Sequence, residues 1–87
     1  MAQVVLPGNL VTLFPGATRR MEMDATTVRE LIAGLEARLP GIADRLVAAG
    51  PALREHIRVF VDGEMASLDT AVAAGSTVVV IPAVSGG

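Results

Sequence analysis

The sequence predicts an α+β fold in which one helix covers one face of a mixed sheet of four to five strands. Three observations lead there. The hydrophobic period changes from two to about 3.6 residues near Thr27 and returns to two at His56. Asp62-Gly63 stands between two short β-type stretches and signals a tight hairpin turn. The most apolar stretch, Thr77 to Ile81, is apolar on both faces, as a strand in the middle of a sheet is.

The elements follow in order. Gln3 to Leu6 reads as an opening strand that Pro7-Gly8 stops. Asn9 to Thr18 holds a second Pro-Gly pair, Pro15-Gly16, and reads as a loop or wide turn, with Leu10, Leu13 and Phe14 as its anchors to the core. Met21 and Met23 then alternate with Arg20, Glu22 and Asp24, the signature of a half-buried strand. The two strands suit a hairpin with a long loop. Val28, Leu31, Ile32, Leu35 and Leu39 form one helical stripe. Thr27 followed by Glu30 is a capping box: the hydroxyl takes an orphan N–H and the carboxylate reaches back to the cap residue. Pro40-Gly41 ends this helix, and Gly34 marks a place where it crosses the sheet closely. Ile42 to Ala49 suggests another turn or two of helix, closed by Gly50-Pro51. Ile57, Val59 and Val61 share one strand face, and His56, Arg58 and Phe60 the other. Glu64 to Ser67 is a short return strand, and Gly75 is the hinge before the final strand.

That order places one helix on one sheet face, because a sheet face needs a partner layer. It is the order of a β-grasp fold, in which the last strand lies beside the first. A ferredoxin-like fold is the competitor, and it needs a second full helix that Ala43 to Ala49 is too short and too early to supply.

With 87 residues, one domain is expected. Hydrophobic residues are 52% of the chain but aromatics only 2%, so Val, Leu, Ile and Ala must build the core. There is no Cys, which removes disulfides, zinc-thiolate sites and a cysteine nucleophile. The beginning of the chain lacks a basic segment followed by a long apolar one, and the longest apolar run, Val78 to Val84, falls short of the roughly 20 residues that cross a bilayer. A soluble cytoplasmic protein with no membrane partner is the expectation. The net charge of −2 offers no footprint for nucleic acid. All seven basic residues are Arg.

Enzymatic chemistry is not evident. His56 is the one histidine and reads as a solvated strand-edge residue rather than a metal ligand. Ser67 or Ser76 could be grouped with His56 and Asp62, but no nucleophile-elbow pattern accompanies them. Neither phosphate-binding glycine pattern occurs. Glu22, Asp24, Glu30 and Glu36 read as solvated carboxylates, and Arg19-Arg20 as a solvated strand end. No catalytic residue, metal site or bound cofactor is expected.

What remains is "IPAVSGG", Ile81 to Gly87. One reading is a frayed end. The other is a working end: Pro82 stops the strand ladder, and Gly86 and Gly87 pass through a narrow channel without a Cβ to crowd it. An α-carboxyl at Gly87 is ionised at neutral pH and is a poor electrophile until activated.

"VVVIPAVSGG" resembles the end of the MoaD/ThiS group of ubiquitin-like sulfur carriers position for position, and "LEARLPGIADRLV" and "IRVFVDGE" resemble the middle of MoaD-like and CysO-like carriers. The resemblance spans most of the chain. It implies a ubiquitin-like β-grasp domain over residues 1–82 and an extended tail over 83–87. It implies that a ThiF/MoeB-type enzyme, using ATP, adenylates Gly87, and that sulfur then replaces one carboxylate oxygen to give a thiocarboxylate. A sulfur-accepting biosynthetic enzyme is the second partner. Pro82, Ala83, Val84, Ser85 and Gly86 would thread into the partner, and the free protein would be a monomer without activity of its own.

The same resemblance points to the sheet face away from the helix as the docking surface. Strand parity puts Val78 and Val80 inward, and Arg58, Phe60, Val79 and Ile81 outward as a patch. The competing reading buries Phe60, Val79 and Ile81 under the loop around Phe14. The acceptor pathway stays open between molybdopterin, cysteine and other sulfur metabolites, with thiamine less favoured because ThiS chains are usually shorter. Two other classes also stay open: a modifier joined through Gly87 to target lysines, and an interaction domain with an inert end. Absence of Lys leaves no side-chain amine to attack an activated Gly87. Surface lysines introduced on the domain should therefore lower the yield of intact thiocarboxylate, read by mass spectrometry; an unchanged yield refutes this role.

Overall fold

In a computed structural model that describes residues 1–82, the chain runs β1 (Ala2–Val5), α1 (Gly8–Leu13), β2 (Arg20–Met23), α2 (Val28–Arg38), α3 (Ile42–Leu46), β3 (Val47–Ala48), β4 (Ala52–Leu53), β5 (Ile57–Val61), β6 (Glu64–Ala66) and β7 (Thr77–Pro82). The expected tail, residues 83–87, lies outside the described residues. The main sheet has five strands in the order β2-β1-β7-β5-β6. β7 is central, parallel to β1 and antiparallel to β5, and the other two pairings are antiparallel hairpins. This is the β-grasp order expected from the sequence.

The core lies between one sheet face and α2. Val4, Met23, Val59, Val78 and Val80 come from the sheet, and Val28, Leu31, Ile32 and Leu35 from the helix. The inward positions alternate along each strand, as the pleat requires. Gly34 is where the layers approach most closely: a Cβ there would lie 3.1 Å from Met23 Sδ on β2.

Local chemistry sets the ends of the elements. Thr27 Oγ1 accepts the Glu30 N–H at 3.1 Å, as the capping box requires. The return contact differs from expectation by one residue. Glu30 Oε1 accepts the N–H and the hydroxyl of Thr26, at 2.8 and 2.7 Å, not the N–H of Thr27. Asp62 and Gly63 have φ of 50° and 87°, the left-handed pair that turns β5 directly into β6.

Three expectations are corrected. The segment after Pro7 is not all loop: Gly8–Leu13 is a short helix whose first N–H groups, from Leu10 and Val11, reach the Pro7 carbonyl. Leu10 is buried and Phe14 is half-buried one turn on, but Leu13 is 50% exposed and anchors nothing. The helix after Gly41 ends at Leu46 rather than Ala49, because Val47 turns extended and opens a small hairpin, β3 with β4. Glu36 is no idle solvated carboxylate: its two oxygens take the N–H groups of Gly41 and Ala43, both at 2.9 Å, so a side chain of α2 caps α3.

Leu35 is fully buried. Leu35→Ala should cost about 2–5 kcal/mol in chemical unfolding. Leu13→Ala should cost about 0.5 kcal/mol or less, as for an exposed side chain. Comparable losses at both positions contradict this placement of Leu13.

Candidate functional site

The central strand separates two kinds of side chain. Val78 and Val80 are 0% and 2% exposed under α2, whereas Val79 is half-buried and Ile81 is 42% exposed on the opposite face. The register aligns this opposite face. Val79 sits across from Phe60 on β5 and level with Val5 on β1; Phe60 in turn faces Met65 on β6. Ile81 faces Arg58. The four residues expected outward are therefore two adjacent cross-strand pairs on the helix-free face. Val5 and the 68% exposed Met65 extend the apolar row to four strands.

The competing burial by Phe14 does not occur. Its ring lies at the α2–α3 joint, where a Cβ on Gly41 would stand 3.4 Å from Phe14 Cε1. That is the helical layer, not the outer sheet face. Met65 was readable from the sequence, since a two-residue turn at Asp62-Gly63 pairs residue 60 with residue 65. Val5 was not, because its place depends on a pairing between the two ends of the domain.

Arg58 is held at the end of β5. Its guanidinium donates to the carbonyls of Glu55 and Ile57, at 2.6 and 3.1 Å. At the same end, Pro82 faces Ile57 and lines a groove of about 550 Å³ or slightly less, 520 Å³, with Leu13, Arg45, Arg54, Glu55 and His56. The chain thus leaves the central strand beside the apolar row and beside a set of cationic side chains that the sequence did not group.

The grouping of Ser76, His56 and Asp62 fails on geometry. Ser76 is buried and donates its hydroxyl to Asp62 Oδ2 at 2.7 Å, but His56 lies at the other end of β5, about 20 Å away along an extended chain. Ser67 is placed beside Thr70 instead. Among the described residues no three His, Cys, Asp or Glu side chains are grouped to hold a metal ion, and no helix is long and apolar enough to cross a membrane.

Asp62 has a structural task the sequence reading missed. Oδ1 accepts the Thr77 N–H at 2.9 Å, so its carboxylate ties the β5–β6 turn to the start of β7. The Thr77 N–H, then the Ser76 hydroxyl, hold its pKa below the usual value. The Gly41 and Ala43 N–H groups do the same for Glu36, and the Thr26 N–H and hydroxyl for Glu30.

A five-stranded β-grasp sheet on one main helix, with an apolar outer face that runs to the exit of the central strand, defines a ubiquitin-like protein. The ThiS family model matches residues 4–87, and the chain belongs to the ThiS family, a group of ubiquitin-like sulfur carriers and modifiers. Among solved structures, the Amycolatopsis orientalis BexX/CysO complex contains a chain that is 34% identical with a TM-score of 0.90, each chain covered in full. CysO of Mycobacterium tuberculosis is 27% identical with a TM-score of 0.85, covering 97% of this chain and 100% of its own. SAMP1 of Haloferax volcanii is 31% identical with a TM-score of 0.76, covering 99% and 98%. No curated protein sequence matches.

The three depressed carboxyl pKa values fix a sign. A carboxylate stabilised in the folded state contributes stability above its unfolded pKa, near 4, and loses it as pH falls through the lower folded value. Unfolding midpoints in urea should thus be flat from neutrality to about pH 5 and fall below about pH 4. Asp62→Asn should lower the neutral midpoint and flatten the acid slope; an unchanged slope contradicts the tie to Thr77.

Proposed function

We propose that this chain is a sulfur carrier whose working group is the main-chain carboxyl of Gly87. The observation that supports this reading best is the ThiS family match, which runs to residue 87 and so includes Gly86-Gly87. A ThiF/MoeB-type enzyme binds the domain and ATP. The Gly87 carboxylate attacks the α-phosphorus and pyrophosphate leaves, giving an acyl-adenylate. A sulfide-equivalent nucleophile then displaces AMP, giving the thiocarboxylate that an acceptor enzyme consumes. The chain is a substrate in these steps and holds no cofactor; ATP belongs to the activating enzyme.

The outer face carries the docking in this reading. Arg58, Phe60, Val79 and Ile81, with Val5 and Met65, form an apolar surface beside the strand exit. Pro82 removes an N–H donor at the end of the ladder and directs Ala83, Val84, Ser85 and Gly86 into the partner. Likeness to the BexX/CysO and CysO structures favours an acceptor that builds cysteine or another sulfur metabolite over a larger molybdopterin-synthase subunit. A second reading, a modifier joined through Gly87 to target lysines, draws on the likeness to SAMP1, which is described as a small archaeal modifier protein.

Incubation with a ThiF/MoeB-type enzyme, ATP and a sulfide donor should exchange one oxygen of Gly87 for sulfur, read by intact mass. Isopeptide-linked targets in cell extract, without that exchange, establish the modifier, and neither product refutes both. Phe60→Asp should weaken binding to the activating enzyme by about tenfold or more while the unfolding midpoint stays within the range of surface substitutions. Loss of folding in this variant assigns Phe60 to the core.

A further inference from the structure

The side-chain charges are separated between the two ends of the sheet, and the net charge of −2 conceals this. One end is where β7 exits. Arg58 stands opposite Ile81, and Arg45 and Arg54 line the groove with Pro82. Arg20 pairs with Val5, the residue level with Val79, and the Arg19 carbonyl accepts the N–H of Leu6 just beyond. Arg38 closes α2 where it meets α3, the helix that lends Arg45 to the groove.

The opposite end is where β7 begins. Asp62 binds Thr77, and Glu64 follows across the turn. Glu22 pairs with Gln3, which is level with Thr77, and Asp24 comes just after. Glu30 is in the first turn of α2, whose start is bridged to Ala71, and Asp69 is bound to Arg29. The exit end therefore holds six of the seven arginines and three of the nine carboxylates, a balance of +3. The other end holds Arg29 and six carboxylates, a balance of −5.

The cationic end is also available to a partner. The Arg29–Asp69 pair at 2.9 Å is the one side-chain ion pair among the described residues, and it lies at the other end. Of the three carboxylates at the exit end, that of Glu36 is engaged by two backbone N–H groups. Arg19, Arg20, Arg38, Arg45, Arg54 and Arg58 thus have no carboxylate partner among the described residues, and all six are exposed. Charges arranged this way attract an anionic surface to one end of the molecule and repel it from the other, which orients an encounter before contact.

We propose that the exit end docks on an acidic rim around the tail-accepting channel of the partner enzyme, and that the charge separation turns the tail toward that channel as the two proteins approach. This rests on the sulfur-carrier reading. It assigns separate tasks to two adjacent surfaces: the apolar row holds the complex, and the arginines around Pro82 set how fast it forms. It also makes the position of the arginines, rather than their number, the quantity that matters.

The test is stopped-flow association with a ThiF/MoeB-type enzyme at about 20 mM and about 500 mM salt, where screening lengths differ severalfold. Arg19→Glu with Arg45→Glu uses two exposed residues that make no side-chain hydrogen bond among those described. This double variant should associate about tenfold more slowly than wild type at low salt and within about twofold at high salt, with dissociation and thermal unfolding unchanged. Glu22→Arg with Glu64→Arg shifts the net charge by the same amount at the other end and should change association by about twofold or less. Equal and opposite effects of the two double variants assign the rate to net charge and overturn the proposal, as does the absence of an effect at Arg19 and Arg45. Faster activation of the arginine variant also overturns it, by giving the groove to the chain's own anionic end. In each of these outcomes wild-type Gly87 still gains sulfur; failure of that exchange removes the sulfur-carrier reading itself.

Discussion

The parallel pairing of β1 with β7 is the contact on which the rest of this molecule depends. Parallel neighbours cannot be joined by a tight turn, so the intervening chain must cross over a sheet face, and α2 is that crossover. The pairing leaves β7 with a partner on each side and no free edge. It sets Val78 against Val4 under the helix and Val79 beside Val5 on the open face. A register shift of one residue would exchange these faces and bury the outer row instead. The core and the candidate docking surface are thus two sides of one alignment.

That alignment also determines where the chain leaves the domain. β7 carries the backbone from the anionic end, where Asp62 holds Thr77, to the cationic end, where Pro82 meets Ile57 and the arginine-lined groove. The Asp62 tie anchors the start of the strand through one main-chain and one side-chain hydrogen bond. Pro82 stands at its finish without an N–H to extend the ladder. A strand fixed at its origin and released at its end suits a domain that presents whatever follows Pro82 to another protein. In such a carrier the chemistry lies on the main chain, which agrees with the dispersal of Ser67, Ser76 and His56 over separate parts of the fold.

Much of this was legible in the residues because it rests on short-range physics. The alternation of Met21 and Met23, the stripe from Val28 to Leu39, the Thr27 cap and the Asp62-Gly63 turn are each decided within a few neighbours, and each is realised. Where the reading failed, the element was too short or the partner too far. α1 spans six residues, less than two turns, so Leu10 alone of its side chains reaches the core and no stripe is visible. β3 and β4 contribute two residues each, too few to alternate. Glu36 reaches Ala43 across the break at Pro40-Gly41, a contact that helical spacing does not suggest.

The same division applies to function. The residues alone established the strand parity, the absence of cysteine and of any enzymatic motif, and the Gly-Gly end with its family resemblance, because composition and local period need no knowledge of what lies across the sheet. They did not contain the row from Val5 to Met65, the carboxylate that ties Thr77, or the gathering of six arginines around the exit of β7. Those depend on which distant segments pair: Gln3 with Thr77, Phe60 with Val79, α3 with the groove at Pro82. Burial of the apolar faces selects that pairing, and charges spread almost evenly along the chain then fall into two opposed groups.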